Sequence, residues 1–272
     1  MTVRFADVDD VRLEWEVVGA GPELVYLHGL SGNLEVDRRL CDRLGRHFTV
    51  MWYSARGHGR STAPVGRGGW DYRWFAADLD AMIDVAGFER PFLVGGSHGA
   101  NTLLRHAVEH PERPVSGAAV IAPGANALRR PRRLSFYALQ AVHHWGMRKG
   151  DDGLIRLITG MEPGAGDADL VTIAAARTHD FGQLRQVLRH VPDQQAVAPE
   201  RLAEVRLPCV VSAWEGDPII HPYEVATRVA DLLPGARFER IERLVDRPAL
   251  DVAEYATTNI RRWYEQLTGA AA

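Results

Sequence analysis

The chain has 272 residues, 46% of them hydrophobic and 25% charged, with a formal net charge of −3. That is globular composition, long enough for one large core with or without an insertion, and it excludes disordered, collagen-like and coiled-coil classes. Thirty-two Lys and Arg against thirty-five Asp and Glu leave no basic excess to neutralise phosphates, so nucleic acid is not an expected partner. No apolar run approaches the ~20 residues of a membrane span, and MTVRFADVDD lacks the apolar region of a secretory signal. Cys41 and Cys209 have no CxxC spacing and are too few for a disulfide framework, which suits a reducing cytoplasm.

In chain order, residues 3–7 and 11–18 alternate apolar and polar, as a half-exposed antiparallel strand pair does. Short, nearly continuous apolar runs follow at 24–29, 48–54, 91–97, 117–123 and 208–214, each closed by Gly, Ser or Pro or running into a polar segment. Such runs read as strands buried on both faces of a parallel sheet. Amphipathic stretches near 34–45, 71–87 and 98–110 separate them, so the predicted class is α/β with a doubly wound sheet. The rhythm breaks after Pro123. Helical patterns near 131–147, 152–159, 167–178 and 180–190 fill a span too long for a plain loop, and predict an inserted helical lid over 125–199. The core is then 1–124 and 200–272. The rhythm resumes with strand 208–214, helix 222–233, strand 236–241 and helix 251–267.

The segment FLVGGSHGANTLL over 92–104 carries chemistry. Gly95-Gly96-Ser97-His98-Gly99 matches G-x-S-x-G between an apolar strand and a helical pattern. A serine aimed at substrate needs a sharp strand-to-helix turn, and small residues two before and two after let the backbones pass. The helix starting at His98 points its first N–H groups at developing negative charge. Leu27-His28-Gly29-Leu30 ends the first parallel strand, where the Leu30 N–H can pair with the His98 N–H as a two-donor oxyanion hole. Arg56-Gly57-His58-Gly59-Arg60-Ser61 reads as a tight turn with a structural His58.

In this order, LHG, RGHGRS, GGSHG, a helical insertion and a strand ending in WEGDP, the chain resembles the α/β-hydrolase superfamily over about residues 10–267. The resemblance implies a mostly parallel eight-stranded sheet and cleavage of an ester, thioester, lactone or related carbonyl compound. It places the triad acid at Asp217, with Glu215 the lesser candidate. It also places a histidine after the last strand, and here the chain departs. No histidine follows His221, and aligning Pro248-Ala249-Leu250-Asp251 on the family frame puts Val245-Asp246 where Gly-His belongs. The expectation is that Asp246 replaces the general base, although an Asp near its ordinary pKa of about 4 suits that task poorly.

Three readings follow from the missing base. Asp246 and Asp217 share a proton; or another histidine serves, from His221, His98, His143 or His144; or Ser97 is not a covalent nucleophile and the pocket runs a non-hydrolytic lyase or cyclase reaction of secondary metabolism. A catalytically inactive binding protein is a further alternative. His28, Trp145 and Tyr137, with Phe136, are candidate linings of a small-molecule pocket. No HExxH or CxxC spacing points to a metal. The first strand–helix turn lacks GxGxxG, so no dinucleotide or other cofactor is expected.

Overall fold

The structure is a computed structural model that describes residues 3–66, 68–129, 174–217, 219–242 and 251–272, with single positions 148, 150 and 153. Eight strands form one sheet: β1 (Arg4–Val8), β2 (Val11–Val18), β3 (Glu23–Leu27), β4 (Thr49–Tyr53), β5 (Phe92–Gly96), β6 (Gly117–Ile121), β7 (Cys209–Ala213) and β8 (Arg237–Arg240). Their order is β1-β2-β4-β3-β5-β6-β7-β8. The β1–β2 and β2–β4 pairs are antiparallel and the other five are parallel. This is the α/β-hydrolase fold that the resemblance implied, within the α/β class that the strand–helix rhythm predicted.

Continuous apolar runs produce this sheet because successive residues serve opposite faces. Leu24, Val50, Trp52, Phe92 and Val94 pack with Leu44, Ile260 and Trp263 on one face; Val25, Met51, Tyr53 and Leu93 pack with Leu79, Met82 and Leu103 on the other. Helices α1 (Arg38–Leu44) and α7 (Val252–Thr268) cover the first face, while α2 (Tyr72–Ala86) and α3 (His98–Glu109) cover the second. Local signals set the helix ends. Asp71 caps α2 by accepting from Arg73 N–H, and Asp251 caps α7 through the N–H groups of Ala253 and Glu254. Gly87 and Gly269 close the same helices with φ of 70° and 72°, where a glycine costs least.

Between β6 and β7 the described residues hold α4 (Phe181–His190), a 3-10 turn at Val191–Asp193 and α5 (Pro199–Leu202). Helix α6 (Tyr223–Leu232) follows β7. The two ends of this long connection are joined. Ala196 N–H donates to Asn126 O and Val197 N–H to Ala127 O, both at 3.0 Å. The helix expected at 131–147, that at 152–159 apart from Gly153, and most of 167–178 lie outside the described residues, as do Tyr137, Phe136, His143, His144 and Trp145.

Candidate functional site

Ser97 stands between the end of β5 and the start of α3 with φ 53° and ψ −109°, a conformation that non-glycine residues rarely adopt. The turn is held by Ser97 N–H donating to Ile121 O and by Asn101 N–H donating to Ser97 O, at 2.9 and 3.0 Å. The glycines two before and two after are obligatory. A Cβ at Gly95 would lie 2.5 Å from Gly99 O, and one at Gly99 would lie 2.2 Å from Leu27 O. The strained turn the sequence called for is therefore present with its spacing rationale intact.

The imidazole beside Ser97 is that of His221. Its Nε2 is 2.8 Å from Ser97 Oγ and its Nδ1 is 2.9 Å from Asp217 Oδ2. An ionised carboxylate only accepts, so the proton between His221 and Asp217 sits on Nδ1, and Nε2 presents a lone pair to the Ser97 hydroxyl. The other carboxylate oxygen, Oδ1, accepts Ile220 N–H at 2.9 Å and Ile219 N–H at 3.3 Å. The hydrogen bond from His221, aided by those two amides and opposed by partial burial, holds the Asp217 carboxyl well below the usual carboxylate range. Ala125 N–H donates to Ile220 O at 2.8 Å, tying this loop to the end of β6, and Trp214 packs on the His221 ring with centroids 5.3 Å apart. Acid and imidazole thus both come from the connection between β7 and α6. Asp246, the expected replacement base, lies outside the described residues. Glu215, the lesser acid candidate, is exposed and pairs with Arg240 at 3.3 Å.

The loop after β3 faces Ser97 from the other side: a Cβ at Gly29 would lie 3.6 Å from Ser97 Cβ. Among the described residues, neither Leu30 N–H nor His98 N–H donates to a protein acceptor, which leaves both available to a substrate oxygen. The His98 side chain points elsewhere. Asn101 and Asn126 each donate an amide N–H to the Tyr72 hydroxyl, which in turn gives its own proton to His98 Nδ1 at 3.1 Å. Burial pushes the His98 imidazole well down, so it is a neutral packing group there. His28, expected to line a substrate pocket, is only 4% exposed. Its Nε2 accepts Ala55 N–H at 2.9 Å and its Nδ1–H donates to Gly29 O at 2.6 Å, so both nitrogens serve the backbone.

Sequence reasoning passed over His179, whose buried ring meets the loop after β3 and the turn carrying His58. Nothing in its local sequence marks it, because its neighbours are distant along the chain. Among the described residues no group of three or more His, Cys, Asp or Glu is arranged to hold a metal ion, and no helix is long and apolar enough to cross a membrane.

Comparison with known proteins agrees with this architecture. Residues 22–143 match a family model described as the alpha/beta hydrolase fold. A fluoroacetate dehalogenase from Burkholderia sp. is 37% identical over 116 residues, 42% of this chain and 38% of that protein, so the match spans well under half of either. Among solved structures, an esterase from Exiguobacterium antarcticum superposes with a TM-score of 0.79 at 18% identity, covering 96% of this chain and 98% of the other. The enol-lactonase from Burkholderia xenovorans LB400 does so with a TM-score of 0.74 at 19% identity, covering 96% and 99%.

Proposed function

We propose that this chain is a serine hydrolase of the α/β-hydrolase superfamily, whose family model matches residues 22–143, and that it cleaves a small carboxylic ester, thioester or lactone with Ser97, His221 and Asp217 as its triad. The observation that carries this reading is the continuous pair of contacts, 2.8 Å from Ser97 Oγ to His221 and 2.9 Å from His221 to Asp217. A serine hydroxyl is a weak nucleophile until a base removes its proton. His221 Nε2 takes that proton as Ser97 Oγ attacks the carbonyl carbon, and the carboxylate of Asp217 stabilises the imidazolium. The new oxyanion faces Leu30 N–H and His98 N–H at the start of α3. Collapse breaks the acyl–oxygen or acyl–sulfur bond, His221 returns the proton to the leaving group, and water repeats the sequence on the acyl-enzyme to regenerate Ser97.

The motive for a non-hydrolytic or inactive reading was the lack of a base, and an imidazole nitrogen stands within hydrogen-bond reach of Ser97. Asp246 then has no part in proton transfer. The ester and lactone classes follow the names of two structural neighbours. A reducing cytoplasm suits Cys41 and Cys209, which are free and buried.

Labelling with a fluorophosphonate probe, followed by mass spectrometry of the adduct, tests the reading. Wild type is expected to carry the adduct on Ser97, and His221→Ala to lose it. A folded wild type that stays unlabelled and hydrolyses no activated ester would overturn the proposal.

A further inference from the structure

The oxyanion loop is wired to a histidine that the reaction itself does not touch. His179 is 5% exposed and lies between two loops. Gly59 N–H donates to its Nδ1 at 3.1 Å, which fixes the ring proton on Nε2. That Nε2 faces Ser31 O at 3.3 Å and is therefore the donor to it. The Ser31 carbonyl shares a peptide group with Gly32 N–H, and Gly32 N–H donates to Gly29 O at 2.9 Å. The Gly29 carbonyl in turn shares a peptide group with Leu30 N–H. In a trans peptide the C=O and N–H point to opposite sides, and each bond in a chain of hydrogen bonds polarises the next.

From this geometry we infer that His179 is a positioning residue for the oxyanion hole, the head of a relay that runs through the Ser31–Gly32 and Gly29–Leu30 peptides to the Leu30 N–H. The inference rests on the serine-hydrolase reading of the same site. Neighbouring contacts anchor the head of the relay. Asp180 N–H donates to Gly59 O at 3.1 Å, and Asn33 Nδ2 donates to Thr178 Oγ1 at 3.0 Å, so residues 178–180 are stitched to both loops. Gly32 tolerates no side chain in this arrangement, since a Cβ there would lie 2.6 Å from both Asp37 Oδ2 and His28 Cβ. Burial holds the His179 imidazole down at about 3, so it is a neutral donor at any pH used for assay. His28 Nδ1–H adds a second bond to Gly29 O but leaves the Ser31–Gly32 peptide untouched.

The test compares an ester with its thionoester, whose C=S sulfur is a poor hydrogen-bond acceptor. A working oxyanion hole favours the oxoester; a misaimed one loses that preference, whereas a general loss of structure slows both substrates alike. In His179→Ala, kcat on the oxoester is expected to fall about 10- to 100-fold with KM within about threefold, and the oxoester-to-thionoester ratio to shrink by about tenfold. His179→Gln, which keeps an amide donor for Ser31 O and an acceptor for Gly59 N–H, should restore most of both. If His179→Ala does not fold, His179→Leu carries the same expectation. A wild-type ratio in the alanine or leucine variant, whatever its kcat, overturns the relay and leaves the serine-hydrolase reading standing. A wild type no faster than Ser97→Ala on either substrate overturns that reading, and the relay with it.

Discussion

Replacing Asp217 by Asn separates the contribution of its charge from that of its shape. The asparagine oxygen can still accept the N–H groups of Ile219 and Ile220, which Asp217 Oδ1 holds at 3.3 and 2.9 Å, so the loop keeps its form. The amide nitrogen then faces His221 Nδ1, where a carboxylate oxygen stood at 2.9 Å. Two donors cannot share that contact, so the ring proton moves to Nε2 and points at the Ser97 hydroxyl it should receive from. Forcing the productive tautomer back costs about 1 kcal/mol, the worth of one neutral hydrogen bond. Losing the carboxylate beside the imidazolium costs about 4 kcal/mol at an effective dielectric near 20, less whatever solvent recovers at this partly exposed site. Together these predict a fall in kcat of about 10³- to 10⁴-fold, at about 1.36 kcal/mol per decade. The assay is p-nitrophenyl acetate hydrolysis at pH 8 under saturation, with melting temperature as the control for folding. A folded Asp217→Asn enzyme keeping more than about a tenth of wild-type kcat would refute the reasoning, since no triad acid is that dispensable. Asp246→Asn, assayed alongside, is expected to stay within about threefold of wild type; a loss matching that of Asp217→Asn would return the base to Asp246.

The elbow glycines make a paired prediction: Gly99→Ala should cost at least about 1–3 kcal/mol in urea denaturation because its Cβ meets backbone at 2.2 Å. Gly96→Ala, with nothing within 4 Å of the added carbon, should stay within about 0.5 kcal/mol, and equal losses would discredit the packing argument. Arg56 and Asp78 form a buried pair through two contacts of 2.7 Å, so Asp78→Ala, which strands the guanidinium, should lower unfolding free energy by about 3–5 kcal/mol. A change below about 1 kcal/mol would mean that water reaches Arg56. Burial pushes the Asp37 carboxyl up to about 7, with Tyr26 OH donating to it at 3.2 Å. Its folded-state pKa lies above the unfolded value, so the associated stability is complete below about pH 4 and is lost as pH rises through about 7, by at most about 4 kcal/mol. Asp37→Asn should therefore melt above wild type at pH 8, with the gap narrowing as pH falls and closing near pH 4; parallel melting curves across that range would refute the assignment.

The elements that local chemistry dictates were legible in the sequence. Strand β2 lies at 11–18 as its alternation predicts, and the other strands and the helices α1 to α4, α6 and α7 fall within about four residues of their expected ends, whereas the short α5 was not expected. The elbow was legible because Gly95 and Gly99 answer a steric demand that acts within one turn of chain. His221 was harder to choose. Its signal, an Asp-x-x-x-His run directly after an apolar strand, was on the page, but the family frame directed attention to the segment after β8 and left His221 as one of several alternatives. The roles of His28, His98 and His179 depend on what the fold brings against each ring: Ala55 and Gly29 for the first, Tyr72 for the second, Gly59 and Ser31 for the third. Spacing alone cannot tell a reacting imidazole from one that ties loops together.

The placement of Asp217 and His221 on one short loop has a mechanical consequence. Where acid and base are carried by separate loops, each can drift while the other stays, giving intermediates with an imidazole in place but wrongly protonated. Here the Asp217 carboxylate is fastened to the amides of Ile219 and Ile220 as well as to the ring, and Ile220 is fastened to Ala125. A displacement of this loop therefore carries both groups away from Ser97 together. On the proposed reading, the serine is armed or disarmed in a single step, with no second loop to bring into line.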